Sequence, residues 1–157
     1  MISGIKVLDL SDRRGIMCSK VLSGLGAQVI QVEPIVGSDA RMQGPFINDV
    51  PGIERSLYWH AYATDRRSIT LDLTLPQGQQ IFKDLVRKSD VVIESSDPGY
   101  LSSLNLGYSD LVKVKTDIIM ASVTPFGQTG PKSDYLATDL TGVALGGSMH
   151  LTGEKDR

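Results

Sequence analysis

The sequence is poor in the residues and segments that would mark it as secreted, metal-binding or membrane-spanning. Cys18 is the single cysteine among 157 residues, so it has no partner for an intramolecular disulfide or a cysteine-based metal site. His60 and His150 lie far apart, without an acidic residue at ligand spacing, which disfavours a metal. No apolar run is long enough to cross a bilayer, and the sequence does not open on a basic stretch followed by a long apolar run. We therefore expect a soluble, cytoplasmic protein without a metal cofactor.

An excess of charge of either sign is also absent. Sixteen basic and 18 acidic residues give a net charge of -2, which offers no general reason to expect a nucleic-acid partner. An anionic ligand would therefore need a local cluster of cations.

The turn after the first predicted strand lacks the glycine fingerprint of a dinucleotide site. That fingerprint requires three glycines at fixed spacing, whereas the turn DLSDRRGIMCS contains only Gly15. Glu33 resembles the acidic residue that binds a ribose, but without the glycines it is better explained as a partner of a loop or a helix cap. The sequence therefore disfavours an NAD(P)-dependent dehydrogenase.

Short apolar segments alternate with helix-like segments along the chain, and this order predicts the fold. The apolar segments are rich in β-branched residues and almost uninterrupted, as is typical of strands covered on both faces. They lie at 5–10, 27–32, 90–95 and 118–123. Between them come helix-like segments such as GIMCSKVLSGLG, SLYWHAYA and PQGQQIFKDLVRK, and a short SITLDL strand. The sequence predicts an α/β fold with an open, mostly parallel, Rossmann-like sheet and helices on both faces.

Ligands of such sheets bind beyond the carboxyl ends of the strands. The loops at 11–15, 33–45, 95–100 and 124–131 are therefore the candidate site. Segment 34–56 is the longest irregular piece, and a loop of that length is typically functional or mobile. The segment SVTPFGQTGP combines prolines with glycines that allow a close backbone approach to a ligand.

Pairs of arginines and one aspartate are candidate ligand contacts in these loops. Arg13 and Arg14 precede a predicted helix start, and guanidinium groups beside free backbone N–H groups suit a phosphate. Arg66 and Arg67 are a second pair to which the same reasoning applies. The alternative for both pairs is a solvated surface position. Asp139 is either the cap of the last helix or a residue beside the ligand.

Six segments carry a family resemblance. In chain order they are GIKVLDLS, GLGAQVIQVEP, RRSITLDLTLPQG, SDVVIESSDPGYLSSLNLGYSDL, IIMASVTPFGQTGPKSDYLATDL and LTGEKDR. In order and spacing they resemble the N-terminal part of the family III CoA-transferases, the group that includes formyl-CoA and carnitine CoA-transferases and acyl-CoA racemases. The resemblance covers essentially the whole chain, and six segments in the right order make it specific.

The resemblance implies a coenzyme A-binding domain and a transferase activity. Residues 1–157 would form the N-terminal part of a Rossmann-like domain, with a small domain and a C-terminal return segment absent from this chain. Members of the family form interlocked homodimers and move CoA between carboxylic acids through an anhydride and a thioester on an aspartate. That aspartate is expected downstream of Arg157, so no catalytic residue is expected here. Thr138 replaces the histidine of the racemases, which disfavours a racemase.

The resemblance also implies which residues contact CoA or acyl-CoA. The positions are Arg13 and Arg14 after the first strand, Leu71, Asp72, Leu73 and Thr74 near the adenine, Ser95, Ser96, Asp97 and Ser103 after the next predicted strand, and Leu136, Ala137, Thr138 and Asp139 beside the thiol arm. Family members often have an aromatic residue in the segment that is Ser95 to Asp97 here, and an arginine at Ser103. We expect Arg13 or Arg14 to replace the missing phosphate contact.

Two hypotheses about function follow. The chain is the CoA-binding portion of a transferase, inactive alone and completed by further sequence or by a second subunit. Alternatively it is a non-catalytic, truncated or split relative that pairs with another protein. On either hypothesis a missing remainder would leave a strand edge and apolar surface exposed, so we expect the isolated chain to self-associate.

Overall fold

The apolar segments of the sequence form the strands of one sheet, in which all five strands are parallel. The computed structural model describes residues 1–153, so residues 154–157 of the LTGEKDR segment lie outside it. The strands are β1 (Lys6–Asp9), β2 (Gln28–Glu33), β3 (Arg66–Thr70), β4 (Val91–Glu94) and β5 (Ile119–Ser122). The helices are α1 (Ile16–Gly24), α2 (Leu57–Tyr62), α3 (Pro76–Val86), α4 (Tyr100–Ser103), α5 (Tyr108–Val114), α6 (Asp139–Leu145) and α7 (Ser148–Leu151), with 3-10 helices at Asp39–Met42 and Ile47–Asp49.

The strand order is β3-β2-β1-β4-β5. From β1 the chain adds strands outward on one side and then returns to place β4 on the other side of β1. The loops after β1 and β4 therefore leave the sheet in opposite directions, and a crevice opens between them. In open α/β sheets this reversal point is where ligands bind.

Two apolar cores cover the two faces of the sheet, as the sequence predicts. Successive strand residues point to opposite faces, so Val7 packs beneath α1 while Leu8 packs with Phe82 of α3 and Leu111 of α5. The near-continuous apolar character of β1 and β4 follows from burial on both sides.

The edge strands depart from the expectation that every apolar strand is covered on both faces. Ile119 of β5 is exposed although its sequence resembles that of a central strand. Within residues 1–153, β5 has a neighbour on one side only. β3 begins at Arg66, two residues before the predicted SITLDL strand, because Arg66 and Arg67 pair with Val29 and Ile30.

The segment 34–56 is irregular, but hydrogen bonds of its own give it a defined path. Ser38 caps the first 3-10 helix, and Ser56 caps α2 by accepting from the Trp59 N–H at 3.0 Å. Arg41 lies 4.0 Å above the Trp59 ring and ion-pairs with Glu33.

Helices α6 and α7 pack against each other and bury no residue. Leu140, Leu145 and Leu151 are exposed on them, and Leu136, just before α6, is 95% exposed. This apolar surface is consistent with the expected self-association, which stays a prediction. Among residues 1–153, no helix has both the length and the apolar character needed to cross a membrane.

Candidate functional site

A buried polar network sets the turn after β1. Asp9 ends the strand, and one oxygen of its carboxylate accepts from the backbone N–H and hydroxyl of Ser11 at 2.8 and 2.5 Å. Its other oxygen accepts from Ser19 and, at 3.1 Å, from Arg66. Gln31 of the adjacent strand donates to the Ser11 carbonyl at 3.0 Å. The turn that carries Arg13 and Arg14 is thereby anchored to the sheet.

Arg14 links this turn to the loop after β4. Its guanidinium ion-pairs with Asp12 at 2.8 Å and donates to the Ser95 carbonyl, and it lies 3.9 Å from Asp97. The hydrogen bond from Arg14 to Asp12 raises the pKa of Arg14. Burial raises the pKa of Asp12, but hydrogen bonds from Arg14 and Ser95 outweigh it and leave that pKa below its ordinary value. Both groups are therefore charged at neutral pH.

Arg13 is held more loosely than Arg14. Its side chain is 62% exposed, 3.8 Å from Asp39, and donates to Gln43 at 3.5 Å. An exposed ion pair of this length contributes little to stability, so Arg13 can exchange Asp39 for an anionic ligand at small cost.

A cavity of about 830 Å³ lies between the turn after β1, the loop after β5 and the start of α6. Its lining includes Arg13, Arg14, Thr124, Ala137 and Asp139. Thr138 lines it too and caps α6, since it exchanges hydrogen bonds with Thr141 in a capping box. The interpretation of Asp139 as the helix cap is therefore wrong: Thr138 is the cap and Asp139 is the first helical residue.

A second cleft, of about 360 Å³, lies at the carboxyl ends of β2 and β3. Its lining includes Leu71, Asp72, Leu73, Thr74 and Ser96, all of which the family resemblance implies as contacts of one ligand. Asp72 accepts from the Thr74 backbone N–H and hydroxyl at 2.9 and 2.6 Å. These bonds close a local turn and lower the pKa of Asp72, with the side-chain bond as the larger cause.

The remaining predicted contacts take up different positions. Ser95 is buried and exchanges hydrogen bonds with Asp12 at 2.9 and 2.8 Å, so it joins loops. Asp97 lines a separate cavity of about 350 Å³ beside α4 and α5. Ser103 is exposed at the end of α4 and donates to the Tyr100 carbonyl at 2.7 Å. Neither Ser103 nor Leu136 is among the lining residues of these cavities.

The two residues of the second arginine pair have different environments. The side chain of Arg66 is 1% exposed and bound to Asp9, which contradicts a role as a free phosphate contact, whereas Arg67 is exposed. Glu33 accepts from the Ser38 backbone N–H at 2.9 Å and from Arg41, which confirms it as a loop partner. Burial raises the pKa of Glu33, but these hydrogen bonds and one from Ser68 outweigh it and lower the pKa overall.

Sequence reasoning missed two residues at this edge. Tyr100 lines the cleft of Leu71 to Thr74, whereas the family resemblance led us to look for an aromatic residue only in the segment Ser95 to Asp97. Gln128 of the loop after β5 donates to Glu94 and accepts from the Gly99 N–H. A search for an aromatic residue a few positions further along would have found Tyr100. In residues 1–153, no three His, Cys, Asp or Glu side chains cluster as metal ligands would.

Comparison with known proteins gives these loops a context. The sequence matches CoA-transferase family III over residues 2–157. It is 38% identical to the BbsE subunit of succinyl-CoA:(R)-benzylsuccinate CoA-transferase of Thauera aromatica, covering 96% of this chain and 37% of that protein. It is also 38% identical to succinyl-CoA:glutarate CoA-transferase of Homo sapiens, covering 99% of this chain and 35% of that protein. The formyl-CoA:oxalate CoA-transferase of Streptomyces avermitilis is 33% identical, covering 99% of this chain and 37% of that protein.

Solved structures agree with the sequence comparison. A CAIB/BAIF family protein from Brucella suis superposes with a TM-score of 0.89 and 39% identity, covering 99% of this chain and 41% of that one. A hypothetical protein from Mycobacterium tuberculosis gives a TM-score of 0.83 at 30% identity, covering 98% of this chain and 42% of that one. The chain therefore spans only part of the length of these relatives. A family match over almost every residue, with the same fold in solved relatives, confirms the resemblance: the chain belongs to CoA-transferase family III.

Proposed function

We propose that this chain forms the coenzyme A-binding portion of an enzyme that transfers CoA between carboxylic acids. The observation that carries the proposal is the convergence of two cavities on the carboxyl edge of the sheet, with Arg13 and Arg14 lining the larger one. Both volumes fall within the roughly 300–1,000 Å³ typical of small-molecule sites. The family membership indicates CoA as the ligand.

The two cavities suit the two ends of CoA. The cleft between Leu71, Thr74 and Tyr100 has apolar and aromatic surface for the adenine. The larger cavity would receive the pantetheine arm and the thioester, beside Ala137, Thr138 and Asp139. Arg13 would meet a phosphate by releasing Asp39, since their pairing is loose and exposed.

The chemistry requires a nucleophile from outside these residues. We propose that an aspartate downstream of Arg157, or one supplied by a second subunit, attacks the thioester carbonyl carbon, so that the C–S bond breaks, the CoA thiolate leaves and an anhydride forms. Residues 1–157 would then be the N-terminal part of the large domain, with the small domain and the return segment supplied elsewhere, in an interlocked homodimer. The glycine-containing loop after β5 would bring backbone N–H groups near the thioester oxygen.

The substrate class follows from the relatives. Benzylsuccinate, glutarate and oxalate, in the names of the three transferases, are all dicarboxylates. We propose that the assembled enzyme likewise uses a dicarboxylic acid.

The alternative to a transferase is a non-catalytic role in which the chain pairs with another protein. The intact mass of the native protein separates the two, because a mass well above the 17.0 kDa of this chain would indicate a longer enzyme.

Calorimetric titration of the chain with CoA tests the binding proposal. We expect Arg13→Glu to weaken binding by about 10- to 100-fold, because a charge-assisted contact contributes about 1.5–3 kcal/mol and is replaced by repulsion. Arg14→Glu should weaken it at least as much, since it also breaks the link to Asp12 and Ser95. Arg87→Glu at the end of α3 is the charge-matched control and should bind as the parent chain does. No binding by the parent chain, or equal binding by all variants, would contradict the proposal.

The aromatic side chain of Tyr100 gives a second test. We expect Tyr100→Ala to lower the affinity for CoA by about 5- to 100-fold, because stacking of a base on an aromatic ring contributes about 1–3 kcal/mol. Tyr100→Phe keeps the ring and should retain the affinity. Pantetheine, which lacks the adenine, should bind Tyr100→Ala and the parent chain equally. A parallel loss for pantetheine would show that Tyr100 acts elsewhere.

A further inference from the structure

Glu94, at the end of β4, is a buried carboxylate held by neutral donors. It is 1% exposed, and it accepts from the Ser96 backbone N–H at 2.7 Å through one oxygen and from the Gln128 side chain at 3.1 Å through the other. Within residues 1–153, no lysine or arginine forms an ion pair with Glu94. A buried carboxyl group without a counter-ion depends on its hydrogen bonds, so the Gln128 contact matters to this end of the strand.

Gln128 uses both ends of its amide. While its NH2 group donates to Glu94, its oxygen accepts from the Gly99 backbone N–H at 3.2 Å. One side chain of the loop after β5 therefore binds the loop after β4 at its beginning and at its end. Gly127 and Gly130 have φ of 83° and 104°, a region that favours glycine, and they set the path of the loop that brings Gln128 inward.

We propose that Gln128 is a positioning residue that holds the Ser95–Gly99 loop against the Thr124–Pro131 loop. The first loop carries the proposed CoA contacts Ser95, Ser96 and Asp97, and the second lines the larger cavity through Thr124 and Phe126. The effect on CoA rests on the proposed function, whereas the coupling of the loops does not.

The amide is the chemically required group here. An ionised glutamate accepts hydrogen bonds but cannot donate to Glu94, and leucine does neither. Gln128→Glu and Gln128→Leu should therefore both lose the contact with Glu94 at pH 7.5.

Hydrogen exchange of the backbone amides gives the first measurement. In Gln128→Leu we expect the protection factors of the Ser96 and Gly99 amides, which donate to Glu94 and Gln128, to fall at least tenfold, with β1 and β2 unchanged. Gln128→Glu should show the same loss at the Ser96 amide. Gln77→Glu, at an exposed position of α3, controls for the added charge.

CoA affinity gives the second measurement. Gln128→Leu and Gln128→Glu should both bind CoA at least fivefold more weakly than the parent chain at pH 7.5. If the parent chain does not bind CoA, the proposed function fails while the exchange data still test the coupling. If the parent chain binds CoA and Gln128→Leu matches it in both exchange and affinity, Gln128 does not position these loops.

Discussion

Replacing Arg66 with methionine is expected to lower the free energy of unfolding by about 3–5 kcal/mol. The Arg66 side chain is 1% exposed, and its guanidinium donates to Asp9 at 3.1 Å, to Gln31 at 2.7 Å and to the Tyr62 carbonyl at 2.8 Å. Methionine would fill much of the space but leave the buried Asp9 carboxylate without its cation. Breaking one side of a buried pair costs more than the pair itself contributes.

The neighbouring residue provides the control for this prediction. Arg67→Met removes the same charge from the same strand at an exposed position, so stability should change by less than about 0.5 kcal/mol. Urea unfolding at pH 7 measures both variants. The double variant Asp9→Asn/Arg66→Met should lose less than the sum of the two single variants, because the groups interact directly. Equal stability of Arg66→Met and Arg67→Met would overturn the assignment of Arg66 to the core.

This network also bears on the proposed site. Asp9 and Gln31 both bind Ser11, so they fix the turn that carries Arg13 and Arg14. A loosened network should weaken CoA binding even though none of its members is a proposed ligand contact. The buried pair therefore links stability of the sheet to the shape of its carboxyl edge.

Replacing Gly78 with alanine is expected to destabilise the protein by about 2–3 kcal/mol, although alanine is the better helix former. Gly78 is buried in the first turns of α3, and a Cβ there would lie 1.8 Å from the carbonyl oxygen of Asp72. Either the helix start or the Leu71–Thr74 turn must move, because the obstructing atom is backbone. Since that turn lines the proposed adenine cleft, CoA affinity should fall together with stability.

Gly142→Ala is the control for this substitution. It lies in α6, and a Cβ there would meet no atom within 4 Å. Helix propensity alone should then act, giving a gain of about 0.5–1 kcal/mol. Thermal unfolding of both variants measures the difference. A gain for both would show that the contact between Gly78 and Asp72 does not constrain α3.

The fold was predictable because the relevant signals are local. Four apolar segments match four strands, and the alternation with helices specifies a parallel sheet. The resemblance of six segments predicted the family that the comparisons confirm. The strand bounds shifted where pairing, not hydrophobicity, decided them, as in β3, which includes Arg66 and Arg67 because β2 pairs with both.

The candidate site was only partly predictable. Sequence placed Arg14 and Asp139 near a ligand, and both line the larger cavity. It could not reveal that the Arg66 side chain is buried and that of Arg67 exposed. The burial of an arginine here depends on which face of the strand meets α1 and on contact with Asp9, 57 residues away. Nor could it reveal Gln128, whose partners lie 34 and 29 residues distant.

The sequence by itself therefore determined the α/β class, the order of the elements, the family and the candidate ligand-binding loops. These properties follow from hydrophobic periodicity, turn chemistry and motif order, which act between residues close in the chain. Tertiary structure alone decided which charges are buried, which loops bind one another and which predicted contacts share a cavity. Those outcomes depend on the packing of distant segments, where a single strand register assigns one arginine to the core and its neighbour to solvent.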